Sequence, residues 1–430
     1  MRAKLSARGV TVRTFQALST RNYRYFFGGQ LISVTGSWLQ STAQAWLILE
    51  LTHSAFMLGL LVMVQFLPNL LLQPFGGVVA DRFPKRALLL GTQSAFAIVA
   101  GILGVTVGMG VVQVWEVFVV VLAFGLINVV DGPTRQAFVP EMVGADQLPN
   151  AVALNSTVFN AARVVGPAVG GVLIATVGTA LCFDLNAISY LAVIAALYMM
   201  HPEELHLIKR AGKEVLGTLA QIREGAAYTI RTPEVRLVVV LMLVVGTFSY
   251  NFSVLIPALA RNGLHSGATT FGLLSAALGV GALAGALGVA YVGRATVPAL
   301  LVGCGIFGAF LALAGQATAL GPAVGLLMAT GIGMIVYSAM SNSIIQLYTP
   351  AHLRGRVMAL YLWVFMGTTP IGSPLTGLIE QDWGSRAAMT VAGVVAVGTA
   401  IGGAIWWARR RRPTGDYSAP LGPLAEAPTA

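Results

Sequence analysis

The chain has 430 residues and is 56% hydrophobic and 10% charged, whereas a soluble protein carries about 25% charged residues. This composition excludes an ordinary soluble domain and places nearly all of the chain in lipid. A net charge of +10 would suggest nucleic-acid binding in a soluble protein, but here the positions of the basic residues give another explanation. Cys182 and Cys304 both fall in apolar segments, a pattern that indicates neither a disulfide framework nor a metal site.

The sequence contains twelve apolar segments that are long enough to cross a bilayer, for which a helix needs roughly 20 residues. These predicted spans 1 to 12 cover about 23–50, 56–80, 87–109, 113–138, 150–176, 180–200, 236–259, 269–292, 296–317, 321–347, 354–379 and 386–408. The prediction is therefore an all-α integral membrane protein with twelve transmembrane helices. Residues 1–22 are basic and polar and do not resemble a cleavable signal.

The apolar pattern divides the chain into five parts. They are a basic cytoplasmic arm at 1–22, an N-terminal six-helix bundle at 23–200, a cytoplasmic linker with an amphipathic helix at 201–235, a C-terminal six-helix bundle at 236–408, and a basic and then disordered cytoplasmic tail at 409–430. With a cytoplasmic N-terminus, all of the 26 Lys and Arg residues except Arg163, Arg261 and Arg386 fall at the cytoplasmic side or its edge. This distribution follows the positive-inside rule and places both termini in the cytoplasm.

Three sequence anchors recur at a spacing of about half the chain and predict two parallel halves related by a pseudo-two-fold axis. Gln136-x-x-x-Pro140 returns as Gln346-x-x-x-Pro350, Pro167-x-x-Gly170 as Pro374-x-x-Gly377, and Gly77-Val78 as Gly288-Val289. The copies differ at one functional position. Val292 and Gly293 stand in the second half where the first half has Asp81 and Arg82, so the predicted repeat is asymmetric in charge.

The polar stretch from Gly76 to Arg86 separates predicted spans 2 and 3. Its pattern, Gly-x-x-x-Asp-Arg followed by basic residues, resembles the loop between helices 2 and 3 in the major facilitator superfamily. The family usually has Gly where this chain has Pro84. The resemblance implies that spans 2 and 11 lie side by side, so that Gly77 lets span 11 approach and Asp81 faces the N-terminus of span 11.

The charges around this loop are predicted to form a latch that closes the cytoplasmic side in the outward-facing state. Lys85 or Arg86 is expected to pair with Asp131 near the end of span 4. The predicted latch residues are Gly77, Asp81, Arg82, Lys85, Arg86, Asp131, Arg135 and Arg354. The alternative is a positive-inside turn without a gating role.

Span 5 contains a kink and closely spaced small residues. Pro167 removes one backbone hydrogen bond, and Ala162, Gly166 and Gly170 lie four residues apart on one face. Span 8 has a matching ladder at Ala277, Gly281 and Gly285, and the two ladders are expected to cross. The motif residues Arg163, Gly166, Pro167, Gly170 and Gly171 resemble the span-5 motif of facilitator antiporters, most of which are exporters. Helix packing without a role in direction is the alternative.

Longer stretches extend the resemblance over about residues 18–400. They are Gly36–Trp38 with Ala45–Leu47, Phe66–Pro68 with Ala80–Phe83, Asp131–Phe138, Asn150–Arg163 and Leu353–Met358. The set resembles the transmembrane secretion effector branch of the major facilitator superfamily, which includes enterobactin-exporter-like and multidrug-exporter-like proteins. This resemblance implies a multi-pass protein of the bacterial cytoplasmic (inner) membrane that is driven by the proton gradient.

Charged residues inside the predicted spans indicate function, because a lone arginine in lipid costs at least about 2.5 kcal/mol. Arg163 is expected to face a cavity and to pair with Asp131, Asp184 or backbone carbonyls. It would organise the cavity or bind anionic groups of the substrate, and the alternative is snorkelling toward the cytoplasm. Asp131 and Asp184 are the candidates for proton coupling, with a structural ion pair as the alternative.

Polar and aromatic residues of spans 1, 4, 7, 10 and their neighbours are candidates for lining a substrate cavity. They are Gln40, Gln44, Gln65, Asn128, Asn160, Tyr250, Asn251, Asn342 and Trp363. A largely apolar cavity with scattered amides favours amphipathic organic molecules over sugars or ions. Each residue could equally serve as glue between helices.

The sequence therefore predicts a secondary active exporter of small amphipathic organic molecules, of the drug or siderophore class, that works by proton antiport with alternating access. A proton-coupled importer is the alternative. The five histidines are scattered, and neither a nucleotide-binding loop nor a filter-like loop is present, so an enzyme, an ATP-driven pump and a channel are disfavoured. The expected partners are the solute, protons and the lipid bilayer; no catalytic residue, cofactor, metal, nucleic acid or second subunit is expected.

Overall fold

The computed structural model of the protein describes residues 15–206, 218–292 and 295–410, and within these ranges every regular element is helical. The predicted arm up to residue 14, residues 207–217 of the predicted linker, Gly293, and the tail from residue 411 lie outside the described residues. A short 3₁₀ turn at Gln16–Ser19 precedes the first long helix.

The first half consists of five helices, α1 to α5. They are α1 Arg21–Thr52, α2 Ala55–Arg82, α3 Lys85–Gly108, α4 Val114–Val177 and α5 Ala180–Met199. Helix α4 contains two predicted spans, 4 and 5, because Gly144 interrupts it with φ 72° and ψ 176°. A glycine adopts this conformation without the steric cost that a side chain would bring.

The second half begins with the linker helix and continues to the end of the described chain. Its helices are α6 Thr218–Arg231, α7 Pro233–Phe248, α8 Phe252–Ala258, α9 Ala268–Val292, α10 Val297–Gly315, α11 Leu320–Tyr348, α12 Ala351–Trp383 and α13 Ser385–Arg410. Helices α7 and α8 together with the π-helical turn Leu259–Gly263 form predicted span 7.

The prediction of twelve helices in two halves is confirmed. Nine helical segments of the described chain are long and apolar enough to cross a membrane by length and composition, and α4 is one of them. Since α4 contains two predicted spans, the two remaining predicted spans are α1 and α12. Both carry buried polar residues, such as Gln40 in α1 and Glu380 in α12, which lower their overall apolarity.

Small residues bring the helices of each half into close contact. Gly166 and Gly170 face α1 at Trp38 and Thr42, whereas Gly281 and Gly285 face Met328 and Ile332 of α11. The prediction that these two ladders cross each other is therefore wrong, because each packs within its own half. Periodicity identifies a face without side-chain bulk but not the helix that covers it.

The contact between α4 and α9 instead uses residues next to the predicted ladders. A Cβ added at Gly171 would lie 2.9 Å from the Cα of Gly272, so the two backbones touch. Nearer the middle of the helices, the Cγ2 of Val164 lies 2.6 Å from the position of a Cβ on Gly279. We call the end of the bundle that carries Arg82 and Lys85 the basic end and the opposite one the far end. The backbone contact at Gly171 lies toward the far end.

Helices α2 and α12 also join the two halves, as the resemblance implied, and their contact weakens toward the basic end. At the far end a Cβ on Gly377 would lie 2.9 Å from the Cα of Phe56. In the middle, Trp363 Nε1 donates to the Leu70 carbonyl at 3.4 Å. At the basic end, a Cβ on Gly77 would have no heavy atom of the described chain within 4 Å. The open space at Gly77 indicates that the halves are separated at the basic end, and we call the space between them the cleft.

The linker helix α6 packs against the basic end of the second half. Arg356 of α12 forms an ion pair with Glu224, and the Tyr228 hydroxyl donates to the carbonyl of Tyr348. The amphipathic helix predicted within the linker is thus present from Thr218 to Arg231.

Candidate functional site

The predicted latch residues lie at the basic end, where the two halves are separated. Asp81 and Arg82 end α2 and are exposed, and Arg354 is exposed in the first turn of α12. A Cβ on Gly355 would meet no heavy atom of the described chain within 4 Å, as at Gly77. Close packing against the described chain is therefore missing at these two glycine positions of α2 and α12.

The basic residues after this loop bind groups of the first half other than Asp131. Lys85 Nζ lies 3.0 Å from Glu141 Oε1, and both side chains are buried or nearly so. Arg86 Nε donates to the carbonyl of Leu197 at 2.8 Å. The predicted pair of Lys85 or Arg86 with Asp131 does not form in this structure. Glu141, which the sequence reasoning missed, directly follows Pro140 of the repeated Gln-x-x-x-Pro anchor.

Asp131 is the centre of a buried polar network between α1, α3 and α4. Its carboxylate, in a residue that is 1% exposed, accepts from Thr92 Oγ1 at 2.7 Å and from Gln93 Nε2 at 2.8 Å. Arg135, one helical turn later, forms an ion pair with Asp131 and donates to Gln30 Oε1. In the described ranges Gln30 Nε2 and Gln93 Oε1 have no hydrogen-bond partner. The network therefore holds a carboxylate, a cation and two unused amide positions.

Asp184, the second proton candidate, lies elsewhere in the same half. A Cβ added at Gly104 of α3 would lie 2.9 Å from the carboxyl carbon of Asp184. Gly104 is eleven residues beyond Gln93, which corresponds to about 16 Å along the helix. The two candidate carboxylates therefore lie at different levels of the bundle and do not form a pair.

Arg163 reaches across the cleft toward the second half. Its Nη2 lies 4.0 Å from the sulfur of Met334 in α11, and its Cζ lies 6.0 Å from the centre of the Trp38 ring in α1. Tyr250, from the second half, donates its hydroxyl hydrogen to the Met334 carbonyl at 3.1 Å. The partners expected for Arg163 are engaged elsewhere, because Asp131 pairs with Arg135 and Asp184 lies against α3.

The antiporter-like motif around Arg163 has distinct contacts along α4. Gly166 and Gly170 allow close packing on α1, and Gly171 allows the backbone contact with α9. Pro167 lies inside the helix and has no N–H, so it cannot donate to the carbonyl four residues earlier, which belongs to Arg163. The motif thus contains a cation and two helix contacts. Gly166 and Gly170 contact α1 in the same half, and Gly171 contacts α9 in the other half.

The predicted cavity residues separate into buried and accessible groups. Gln40 accepts from Asn186 at 2.6 Å and Asn251 donates to Thr376 at 2.9 Å, so both connect helices within one half, and Gln44 is likewise buried. The others are at least partly accessible: Gln65, Asn128, Asn160, Tyr250, Asn342 and Trp363. Asn160 lies one turn before Arg163 on the exposed side of α4. Sequence reasoning missed Trp38 and Met334, which flank Arg163.

The far end is closed by polar and aromatic contacts between the halves that sequence reasoning also missed. Trp46 stacks on Phe271 with ring centres 6.3 Å apart. Arg261 Nη2 lies 3.0 Å from His53 Nδ1, and Ser54 donates to Gln381 at 3.0 Å. The signal that could have found this closure is Arg261, one of the few basic residues outside the cytoplasmic side in the predicted topology.

These features define a membrane transporter of the major facilitator type, with two six-helix halves around a cleft. A profile of the transmembrane secretion effector family matches residues 12–419, and the chain belongs to this family. The resemblance to the transmembrane secretion effector branch that the sequence shows is confirmed. The chain is a transporter and not an enzyme.

Named relatives include siderophore and drug transporters. The staphyloferrin A transporter of Staphylococcus aureus is 24% identical over 251 residues, covering 58% of this chain and 62% of that protein. The multidrug efflux pump Tap of Mycolicibacterium fortuitum is 28% identical over 85% of this chain and 93% of its own. The enterobactin exporter EntS of Citrobacter koseri is 26% identical over 86% and 88%. The chain thus spans less than two thirds of the first relative and most of the other two.

Solved structures with low sequence identity share the fold. The nucleoside transporter NupG (D323A mutant) has a TM-score of 0.70 at 10% identity and covers 91% of this chain and all of its own. A bacterial homologue of the iron transporter ferroportin has a TM-score of 0.66 at 18% identity and covers 90% of this chain and 98% of its own. These similarities support the two-half architecture.

Proposed function

We propose that this protein is a secondary active exporter of small amphipathic organic molecules, of the drug or siderophore class, that works by proton antiport with alternating access. The observation that carries this proposal is the cleft, which is open at the basic end and closed at the far end by the contacts at Gly171 and Phe56. A carrier that alternates must have such a one-sided state. One chain forms the whole cleft, so a monomer is sufficient.

The distribution of charge supports a cytoplasmic position for the basic end. Arg82, Lys85 and Arg86 lie there, together with the linker helix and Arg409–Arg410, whereas Arg261 and Arg386 are the basic residues near the far end. In the bacterial inner membrane the positive-inside rule then places both termini and the cleft opening in the cytoplasm. The domain limits follow, with the two bundles at 23–200 and 236–408.

The direction of transport is tested by loading everted membrane vesicles that contain the protein. We expect a drug or siderophore to accumulate inside these vesicles when respiration acidifies the lumen. Addition of an uncoupler should abolish most of this accumulation. Vesicles without the protein are the control. Accumulation in right-side-out vesicles driven by an inward proton gradient would instead establish the importer.

Closure of the cytoplasmic side is assigned to the latch. In the proposed outward-facing state, Gly77 would admit α12 and Asp81 would approach the N-terminus of α12, where a carboxylate is favoured by the helix dipole. The open space at Gly77 and Gly355 supports this role, since it leaves room for the approach. Lys85 and Glu141 would keep the loop fixed to α4 while the halves move.

Replacing Asp81 with Asn is expected to slow export about two- to fivefold, because a carboxylate at a helix N-terminus contributes about 0.3–1 kcal/mol. The amount of protein in the membrane should not change, since Asp81 is exposed. Initial rates in everted vesicles measure the effect. Asp382→Asn, an exposed carboxylate at the far end, is the matched control, and an unchanged rate in Asp81→Asn would refute the latch.

A further inference from the structure

The guanidinium of Arg163 is a cation within the membrane-spanning part of the cleft, and the described residues give it no carboxylate partner. Its contacts are the sulfur of Met334 at 4.0 Å and the face of the Trp38 ring at 6.0 Å. A guanidinium has five N–H donors, and burying it without an anionic partner is costly. Such a site is incomplete until an anion binds.

The carboxylates that could neutralise Arg163 are held elsewhere in the structure. Asp131 is paired with Arg135, Glu141 with Lys85, and Glu380 accepts from Asn262 at 2.8 Å near the far end. Moving any of them to Arg163 would break one of these contacts. The missing negative charge is therefore most simply supplied by the transported solute.

The direction of the Arg163 side chain argues against snorkelling. A snorkelling arginine extends along its own helix toward the membrane surface. Here Nη2 contacts Met334, which belongs to the other half, and Pro167 leaves the carbonyl of Arg163 itself without the usual helical donor. The cation is thus held between the halves, where a bound solute would touch both.

The surroundings of Arg163 suit a flat apolar body. Trp38 and Phe159 form an edge-to-face pair with ring centres 5.7 Å apart, and Phe159 is 53% exposed. Across the cleft, Tyr250 packs edge-to-face on Phe365 at 5.9 Å and uses its hydroxyl hydrogen on the Met334 carbonyl. These rings offer apolar faces, while the guanidinium fork matches a carboxylate or a similar two-oxygen anion.

We propose that Arg163, with Trp38 and Tyr250, forms an anion-binding subsite and that the solutes of this carrier are organic anions with an aromatic or otherwise flat apolar portion. This inference rests on the proposed transport function and specifies its substrate class. It also implies discrimination, because the uncompensated positive charge of Arg163 disfavours a lipophilic cation of the same shape.

The test uses three probes that share one aromatic body and differ in charge: naphthoate, naphthamide and naphthylmethylammonium. Binding to the full-length protein in nanodiscs is measured by titration calorimetry. We expect naphthoate to bind at least tenfold more tightly than naphthamide, and the cation to bind more weakly still. Equal binding of naphthoate and naphthamide would overturn the proposal, and this comparison needs only the unaltered protein.

Two variants assign the preference to Arg163. Arg163→Gln should lose at least tenfold in naphthoate affinity with little change for naphthamide, and Arg163→Lys should lose less because it keeps the charge without the fork. Retention of the full preference in a folded Arg163→Gln protein would also overturn the proposal. Vesicle transport separates the two claims: an Arg163-dependent preference without export would refute the exporter and leave the anion subsite standing.

Discussion

Replacing Asp131 with Asn is expected to lower uphill export at least tenfold and to reduce the amount of folded protein. The change removes the charge that Arg135 pairs with inside the first half, and breaking a buried pair on one side typically costs about 3–5 kcal/mol. It also removes the carboxyl group that we assign to proton coupling. Initial rates in everted vesicles and the yield of monodisperse protein measure the two effects.

A double variant separates the structural role of Asp131 from the coupling role. Asp131→Asn combined with Arg135→Gln removes both charges, and the amides of Gln30 and Gln93 can bond to the new side chains. We expect this variant to recover folding but not uphill export. If it exports against a gradient at the normal rate, Asp131 does not carry the proton. Asp184→Asn tests the other candidate, and its smaller expected effect follows from its position against α3.

Replacing Gly171 with Leu is expected to prevent the far end from closing and to abolish most transport. A Cβ at this position would already lie 2.9 Å from the Cα of Gly272, so the backbones of α4 and α9 must separate. Overpacking costs typically 1–3 kcal/mol, which corresponds to a shift of roughly five- to 150-fold toward the outward-facing state. The cleft would then open at the far end instead of the basic end.

The population shift is measured with a cysteine reporter at Asn160, which is exposed and lies one turn before Arg163 on α4. Labelling of Asn160→Cys by an impermeant thiol reagent in everted vesicles should fall at least fivefold when Gly171→Leu is added. Background is low because Cys182 and Cys304 are buried. Gly398→Leu is the matched control, since a side chain there would meet no described atom within 4 Å. Unchanged labelling would contradict the assignment of Gly171 to closure.

The sequence was sufficient for the helices, the two halves and the neighbouring positions of α2 and α12. Length and hydropathy determine membrane spans strongly, because the backbone must satisfy its hydrogen bonds internally in lipid. Gly77 and Asp81 could be interpreted together because their motif resembles that of a known family. The prediction that α2 and α12 are neighbours therefore came from the resemblance to that family, because the local residue pattern alone does not specify it.

The partners of individual side chains could not be predicted from the sequence. Lys85 or Arg86 was expected to bind Asp131, but Lys85 binds Glu141, which lies ten residues further along α4, and Asp131 is paired with Arg135. The small-residue faces were identified correctly, yet each packs on a helix that periodicity alone does not specify. The absence of a carboxylate beside Arg163 in the described chain depends on every neighbour at once, so only the folded arrangement reveals it.

The contacts between the halves lie near one end of the molecule, so a small rotation about them produces a large displacement at the other end. Gly171 and Gly377 lie toward one end, so they act as a fulcrum, and the rest of each helix is a long arm. Gly59 of α2 belongs to the same contact, since a Cβ there would lie 3.0 Å from the Cα of Pro374 in α12. From Gly59 to Gly77 the helix is about 27 Å long, and a rotation of about 10° would move its end by about 5 Å. Packing changes of a fraction of an ångström beside the fulcrum are therefore multiplied at the mouth through which a solute enters.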